Sequence, residues 1–89
     1  MYKILLITTK GCGACAIMSR LVKEAIVSSK KSIQYVEKDY KDIPKKYLAL
    51  NEITDFPTTL FIKDNEVKFK YTGTNPKIVI LRWIDVYFK

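Results

Sequence analysis

Histidine is absent from this sequence, and cysteine occurs only twice, as Cys12 and Cys15. A closed structural zinc site takes four ligands, which are most often cysteine and histidine side chains. An iron–sulfur cluster has a comparable requirement for cysteine ligands. Either centre would need two copies of the chain or an added small thiol, so no bound metal or other cofactor is expected.

Several other features are scarce. Only three glycines and three prolines occur in 89 residues, of which 48% are hydrophobic, and this composition argues against a disordered chain. No hydrophobic run is long enough to cross a membrane. The apolar stretch Ile4–Ile7 is also too short for the core of a signal peptide. We therefore expect one domain, residues 1–89, located in a reducing cytoplasm without a membrane partner.

The two cysteines form the motif Cys12-Gly13-Ala14-Cys15, at the point where a strand-like run gives way to a helix-like one. In a helix, this spacing brings both sulfur atoms to the same end, where a small disulfide ring closes. The N–H groups and the positive dipole end of the helix stabilise a thiolate there and lower the pKa of the first thiol. We therefore expect a redox-active disulfide in which Cys12 attacks a substrate and Cys15 resolves the mixed disulfide.

A purely structural disulfide is the alternative for this pair. It suits a secreted mini-protein better than an intracellular chain with one Cys-x-x-Cys motif beside a strand–helix unit. A non-enzymatic interaction module on the same fold also stays open, because a fold does not establish an activity.

Hydrophobic periodicity predicts an α/β domain with the order β-α-β-α-β-β-α, in which a four-stranded mixed sheet has helices on both faces. Asp42 is expected to cap the second helix with Pro44 in its first turn, and Asn75 to cap the third with Pro76 at its first position. Strands are predicted over residues 2–8, 33–39, 58–63 and 66–71, and helices from the motif to about residue 28, over about 42–51 and from residue 75 onward.

This arrangement resembles the minimal thioredoxin fold, in the size class of glutaredoxins and small thioredoxins. The stretch Ile53–Val67 is similar to the thioredoxin segment that passes through a cis-proline into a β-hairpin. The resemblance implies that Pro57 is this cis-proline and that it seats an extended substrate peptide together with the backbone of Phe56. The alternative is a trans proline that only begins a strand.

Two segments resemble glutaredoxins instead. Thr8–Cys12 is similar to their Thr-Lys-Pro-x-Cys entry, which implies that Lys10 holds a glutathione carboxylate and stabilises the Cys12 thiolate. A solvated loop lysine is the alternative. Gly73 corresponds to the glycine-rich region that binds the γ-glutamyl end of glutathione, although the second glycine and the acid are not cleanly present.

One departure from thioredoxins concerns the first strand. These proteins carry a buried acid six residues before the first cysteine, and this chain has Leu6 at that position. The usual proton acceptor for the resolving thiol is therefore missing. Cys15 must lose its proton to water or to another group.

The predicted function is thiol–disulfide oxidoreductase chemistry on disulfide-containing proteins, with a flavoprotein thioredoxin reductase or glutathione as the electron donor. The net charge of +7 favours acidic protein partners. Nucleic acid is not an expected partner. In Lys68-Phe69-Lys70-Tyr71 the aromatic residues of a strand face away from the lysines, so bases could not stack beside a basic surface. A monomer is expected.

Overall fold

Four strands and three α-helices follow one another in the order that the sequence predicted, in a computed structural model that describes all 89 residues. A short 3₁₀ turn precedes the second α-helix. The elements are β1 (Tyr2–Thr8), α1 (Gly13–Ser29), β2 (Ile33–Asp39), the 3₁₀ turn (Tyr40–Asp42), α2 (Lys45–Leu50), β3 (Thr58–Lys63), β4 (Glu66–Thr72) and α3 (Lys77–Tyr87).

The strands form one mixed sheet in the order β2-β1-β3-β4, which confirms the predicted fold class. β2 is parallel to β1, and β3 is antiparallel to both β1 and β4. At one edge of the sheet Thr8 lies opposite Asp39, and Ile7 lies opposite Thr58. The ends of β1 and β2 and the start of β3 therefore meet at this edge, which we call the motif edge because the two cysteines follow β1.

Strand β1 supplies both hydrophobic cores of the domain. Ile4 and Leu6 pack beneath α1 and α3, whereas Leu5 and Ile7 point to the other face, toward α2. Such burial on both faces is typical of a central strand that helices cover. The larger core also contains Met18, Val22, Ala25, Phe61, Ile80, Ile84 and Phe88.

Strand β4 alternates as its sequence predicted. Phe69 and Tyr71 pack against Trp83 of α3, with ring centroids 4.9 and 4.8 Å from the indole ring. On the opposite face, the Lys70 ammonium donates hydrogen bonds to the carbonyl groups of Asn51 and Glu52, each at 3.0 Å. The aromatic side chains of this strand are therefore partly buried against α3.

The two predicted helix caps were wrong. Asp42 ends the 3₁₀ turn, and Pro44 is the residue that precedes α2; likewise Pro76, and not Asn75, precedes α3. Both prolines have extended backbone angles, and neither helix start has a side-chain capping bond. The proline ring holds φ near −60°, which is compatible with the start of a helix, and each helix begins there without a side-chain cap.

None of the three helices is both long and apolar enough to cross a membrane.

A polar cluster joins α1 to the edge strand β2. The Glu37 carboxylate accepts hydrogen bonds from the hydroxyl groups of Tyr35 and Ser19, each at 2.7 Å. These bonds, that from Tyr35 above all, lower the pKa of Glu37 below its ordinary value. Burial raises the pKa of Tyr35, so this phenol stays protonated and keeps donating.

Tyr35→Phe should weaken this attachment in a pH-dependent way. Because the pKa of Glu37 is lower in the folded than in the unfolded protein, its contribution to stability is present above the ordinary glutamate pKa and is lost as the pH falls through the folded value. We expect the substitution to lower the free energy of unfolding by about 1 kcal/mol or less at neutral pH, since Glu37 is exposed. Urea unfolding across the acid range measures the difference. A loss of equal size at every pH would show that Tyr35 acts only through packing.

Candidate active site

The loop between β1 and α1 sets the position of both cysteines. Gly11 has a left-handed backbone with φ of 71°, which glycine adopts without steric cost and which turns the chain toward α1. Cys12 is the N-cap of the helix and is extended, with φ of −99° and ψ of 103°. Its Sγ atom accepts a hydrogen bond from the backbone N–H of Cys15 at 3.0 Å. The sulfur atom therefore satisfies one of the N–H groups that a helix leaves unpaired at its start.

Cys12 and Cys15 form a disulfide, with their Cα atoms 5.2 Å apart. The two residues differ in exposure. Cys12 is partly exposed, whereas Cys15 is 5% exposed and points into the domain. A partner molecule can therefore reach the first sulfur atom, while the second lies beneath it.

The charges around the motif favour an anion at Cys12. The first turn of α1 contains no acidic residue, so nothing there neutralises the positive end of the helix dipole. Lys10 is exposed and takes part in none of the three ion pairs of the structure. The structure places this lysine two residues before Cys12 but gives it no contact that distinguishes a binding residue from a solvated one.

The other predicted site residues meet at the motif edge. The Phe56–Pro57 peptide bond is cis, as the resemblance implied, and Pro57 is buried. The Pro57 carbonyl accepts a hydrogen bond from the Gly73 N–H at 2.8 Å. This bond brings the loop after β4 beside the start of β3. The structure thus brings Phe56, Pro57 and Gly73 together at the edge where the cysteine motif begins.

Sequence reasoning missed Tyr40. Its ring stacks on that of Phe56, with centroids 5.1 Å apart and an angle of 28° between the planes, and both rings are partly exposed. The only available signal was an aromatic residue directly after a parallel strand, where side chains from neighbouring strand ends converge.

No group of three or more cysteine, aspartate or glutamate residues is arranged to hold a metal ion. Leu6, which stands where thioredoxins carry a buried acid, is 0% exposed within the larger core. The two sulfur atoms of the site can form and break a disulfide.

Comparisons with known proteins agree with this geometry. The sequence model of the thioredoxin family matches residues 3–86. Thioredoxin M3, a chloroplastic protein of Oryza sativa subsp. japonica, is 34% identical over 74 residues. The alignment covers 83% of this chain and 42% of the rice protein, so the chain spans less than half the length of that relative.

Solved structures share the fold. Mitochondrial thioredoxin 3 of Saccharomyces cerevisiae, in its oxidised form, superposes with a TM-score of 0.77 and 21% identity, covering 96% of this chain and 77% of the yeast chain. Chloroplastic thioredoxin z gives a TM-score of 0.80 at 17% identity, over 99% and 79% of the two chains. A mutant thioredoxin from Halobacterium salinarum gives 0.80 at 14% identity, over 99% and 75%.

The difference in exposure predicts which cysteine reacts first. In the reduced protein, limiting iodoacetamide near neutral pH should label Cys12 at least about tenfold faster than Cys15, because only Cys12 is both accessible and next to the helix N-terminus. Peptide mass mapping of the labelled site measures the ratio. In denaturant the two rates should converge, which serves as the control. Preferential labelling of Cys15 in the folded protein would reverse the assigned roles.

Proposed function

The chain belongs to the thioredoxin family, and on this premise we propose that it is a thiol–disulfide oxidoreductase that reduces disulfide bonds in proteins. The observation that carries the proposal is the Cys12–Cys15 disulfide at the N-terminus of α1, with one sulfur atom accessible and the other buried. A structural disulfide needs no such difference between its two ends. An attacking and a resolving thiol do.

The reaction proceeds by two exchanges. The Cys12 thiolate attacks one sulfur atom of the substrate disulfide, a mixed disulfide forms, and the first substrate thiolate leaves and takes a proton from water. Cys15 then loses its proton and attacks Cys12 Sγ, which expels the second substrate thiolate. The substrate gains two electrons and two protons, and the protein is left with the Cys12–Cys15 disulfide seen in the structure.

The residues at the start of β3 would seat the substrate. The backbone N–H and C=O groups of Phe56 make no hydrogen bond within the protein, and they lie at the motif edge. An extended peptide can pair with free backbone groups of this kind in the manner of an added strand. Phe56, Pro57 and Gly73 therefore form the proposed binding ledge beside Cys12.

A flavoprotein reductase is the proposed electron donor, in a reducing cytoplasm and with the protein as a monomer. The match to the thioredoxin family supports this choice over glutathione. The region that would hold the γ-glutamyl group has Gly73 followed by Thr74 and Asn75, with no acid, so a charge-assisted contact to glutathione is missing there. The net charge of +7 would speed encounter with acidic substrates and reductases.

Trapping experiments test the enzymatic proposal against the interaction-module alternative. Cys15→Ser should accumulate a mixed disulfide between Cys12 and a protein substrate, because the resolving thiol is gone. Cys12→Ser is the matched control and should trap nothing, since the remaining thiol is 5% exposed. Non-reducing gels compare the two variants. Covalent complexes with both variants, or with neither, would contradict the proposed roles.

The electron donor is tested with two recycling systems, thioredoxin reductase with NADPH and glutathione with its reductase. We expect the flavoprotein system to reduce the protein at least about tenfold faster. The acid that would bind the γ-glutamyl end of glutathione is missing, and the loss of one such charge-assisted contact weakens binding by one to two orders of magnitude. Reduction by dithiothreitol controls for damage to the site. Efficient reduction by glutathione that Lys10→Ala abolishes would instead identify a glutaredoxin-like donor preference.

A further inference from the structure

Thr59 carries the one buried side-chain oxygen in the structure that has no hydrogen-bond partner. The residue is 0% exposed. Its neighbour Thr58 is equally buried, but the Thr58 hydroxyl donates to the carbonyl of Asp55 at 2.5 Å. Buried polar groups in folded proteins are nearly always paired, and an exception at a reactive centre often has a role in the reaction. The unpaired hydroxyl therefore needs an explanation that Thr58 does not.

The position of Thr59 relates it to the buried end of the cysteine motif. Thr59 lies directly opposite Leu6 in the sheet, and paired residues of neighbouring strands point to the same face. Leu6 packs in the core with Met18, which lies three residues after Cys15 on α1. The Thr59 side chain thus lies in the layer between the sheet and the helices α1 and α3. Along β3 it is the last side chain on this face before Pro57 and the motif edge.

No acid serves Cys15 from this layer. Leu6 has replaced the acid that thioredoxins carry on the first strand. On β2, the residue opposite Leu6 is Glu37. Its carboxylate is exposed and accepts hydrogen bonds from Tyr35 and Ser19. Those bonds lower the pKa of Glu37, which makes it a poor proton acceptor. The polar group that we identify in this layer is the Thr59 hydroxyl, which is neutral.

We propose that Thr59 is a positioning residue whose hydroxyl is the hydrogen-bond partner of Cys15 Sγ in the dithiol form. The proposal rests on the redox function proposed above. In the disulfide form Cys15 Sγ is bonded to Cys12 Sγ, and the Thr59 hydroxyl has no hydrogen-bond partner. When the disulfide is reduced, the Cys15 side chain can rotate toward β3, and the hydroxyl gains its partner.

A hydroxyl group suits both states of the resolving thiol, because it has one donor and two acceptor positions. It accepts a hydrogen bond from the Cys15 S–H group at rest. During resolution it donates to the Cys15 thiolate, whose proton has gone to water. The thiolate then bonds to Cys12 Sγ, and the bond from Cys12 to the substrate sulfur breaks. The substrate thiolate that leaves takes up a proton, so no further oxidant or reductant takes part.

Thr59→Val tests this proposal, because valine has nearly the same shape and lacks the hydroxyl. The measured quantity is the equilibrium constant between the disulfide and dithiol forms in defined mixtures of reduced and oxidised dithiothreitol. Loss of a hydrogen bond made only in the dithiol form should shift this equilibrium roughly three- to tenfold toward the disulfide. A tenfold shift corresponds to a potential about 30 mV more negative. The disulfide form should melt at the same temperature as the wild type or higher.

Two further variants separate a redox role from a structural one. Thr59→Ser keeps the hydroxyl and should retain the wild-type equilibrium. Thr58→Val removes a paired hydroxyl, so it should destabilise both redox forms equally and leave the equilibrium unchanged. If Thr59→Val does not fold, Thr59→Ala and Thr59→Ser differ by the hydroxyl alone and give the same comparison.

An unchanged equilibrium in Thr59→Val, or an equal shift in Thr59→Ser and Thr59→Ala, would overturn the proposal. This measurement uses a small dithiol and needs no protein substrate. If the protein failed to reduce protein disulfides, the proposed function would be contradicted. The dithiothreitol equilibrium would still test the role of Thr59.

Discussion

The junction between β1 and α1 is the constraint on which the rest of the structure depends. β1 is buried on both faces and paired on both sides, so its end cannot move without disturbing both cores. The helix that follows packs on the sheet through Met18 and Val22. Cys12 lies between these two fixed elements and caps the helix with its own sulfur atom. The accessible sulfur atom is thus held between a buried central strand and a helix that packs on the sheet.

Two different interactions act on the two sulfur atoms. The helix terminus acts on Cys12 through backbone N–H groups that face solvent, and it favours the thiolate. Burial acts on Cys15 and favours the neutral thiol, because transfer of an anion out of water is costly. Leu6, at the position where thioredoxins carry an acid, adds no charge to the larger core, so the difference between the two sulfur atoms comes from their exposure and from the helix terminus.

The sequence could predict what local patterns determine. Runs of apolar and β-branched residues located β1 and β3, alternation located β2 and β4, helical spacing located α1, and the motif located the two cysteines. The caps of α2 and α3 were wrong because Asp42 and Asn75 are good capping residues by propensity, and the prolines that follow them took the N-cap position instead. The Tyr40–Phe56 stack and the unpaired Thr59 hydroxyl depend on residues far apart in the chain. No local pattern carries that information.

The side chains near the cysteine motif are distributed unevenly between its helix side and its β3 side. On the helix side, Gly11 and Gly13 have no side chain, and a Cβ atom added at either would meet nothing within 4 Å. On the β3 side, the stacked rings of Tyr40 and Phe56 lie beside Pro57. The motif therefore leaves open space at its two glycines, and the motif edge carries a partly exposed aromatic surface. Under the proposed function, we expect the contacts that distinguish one substrate from another to come from the β3 side, because the glycines offer no side chain.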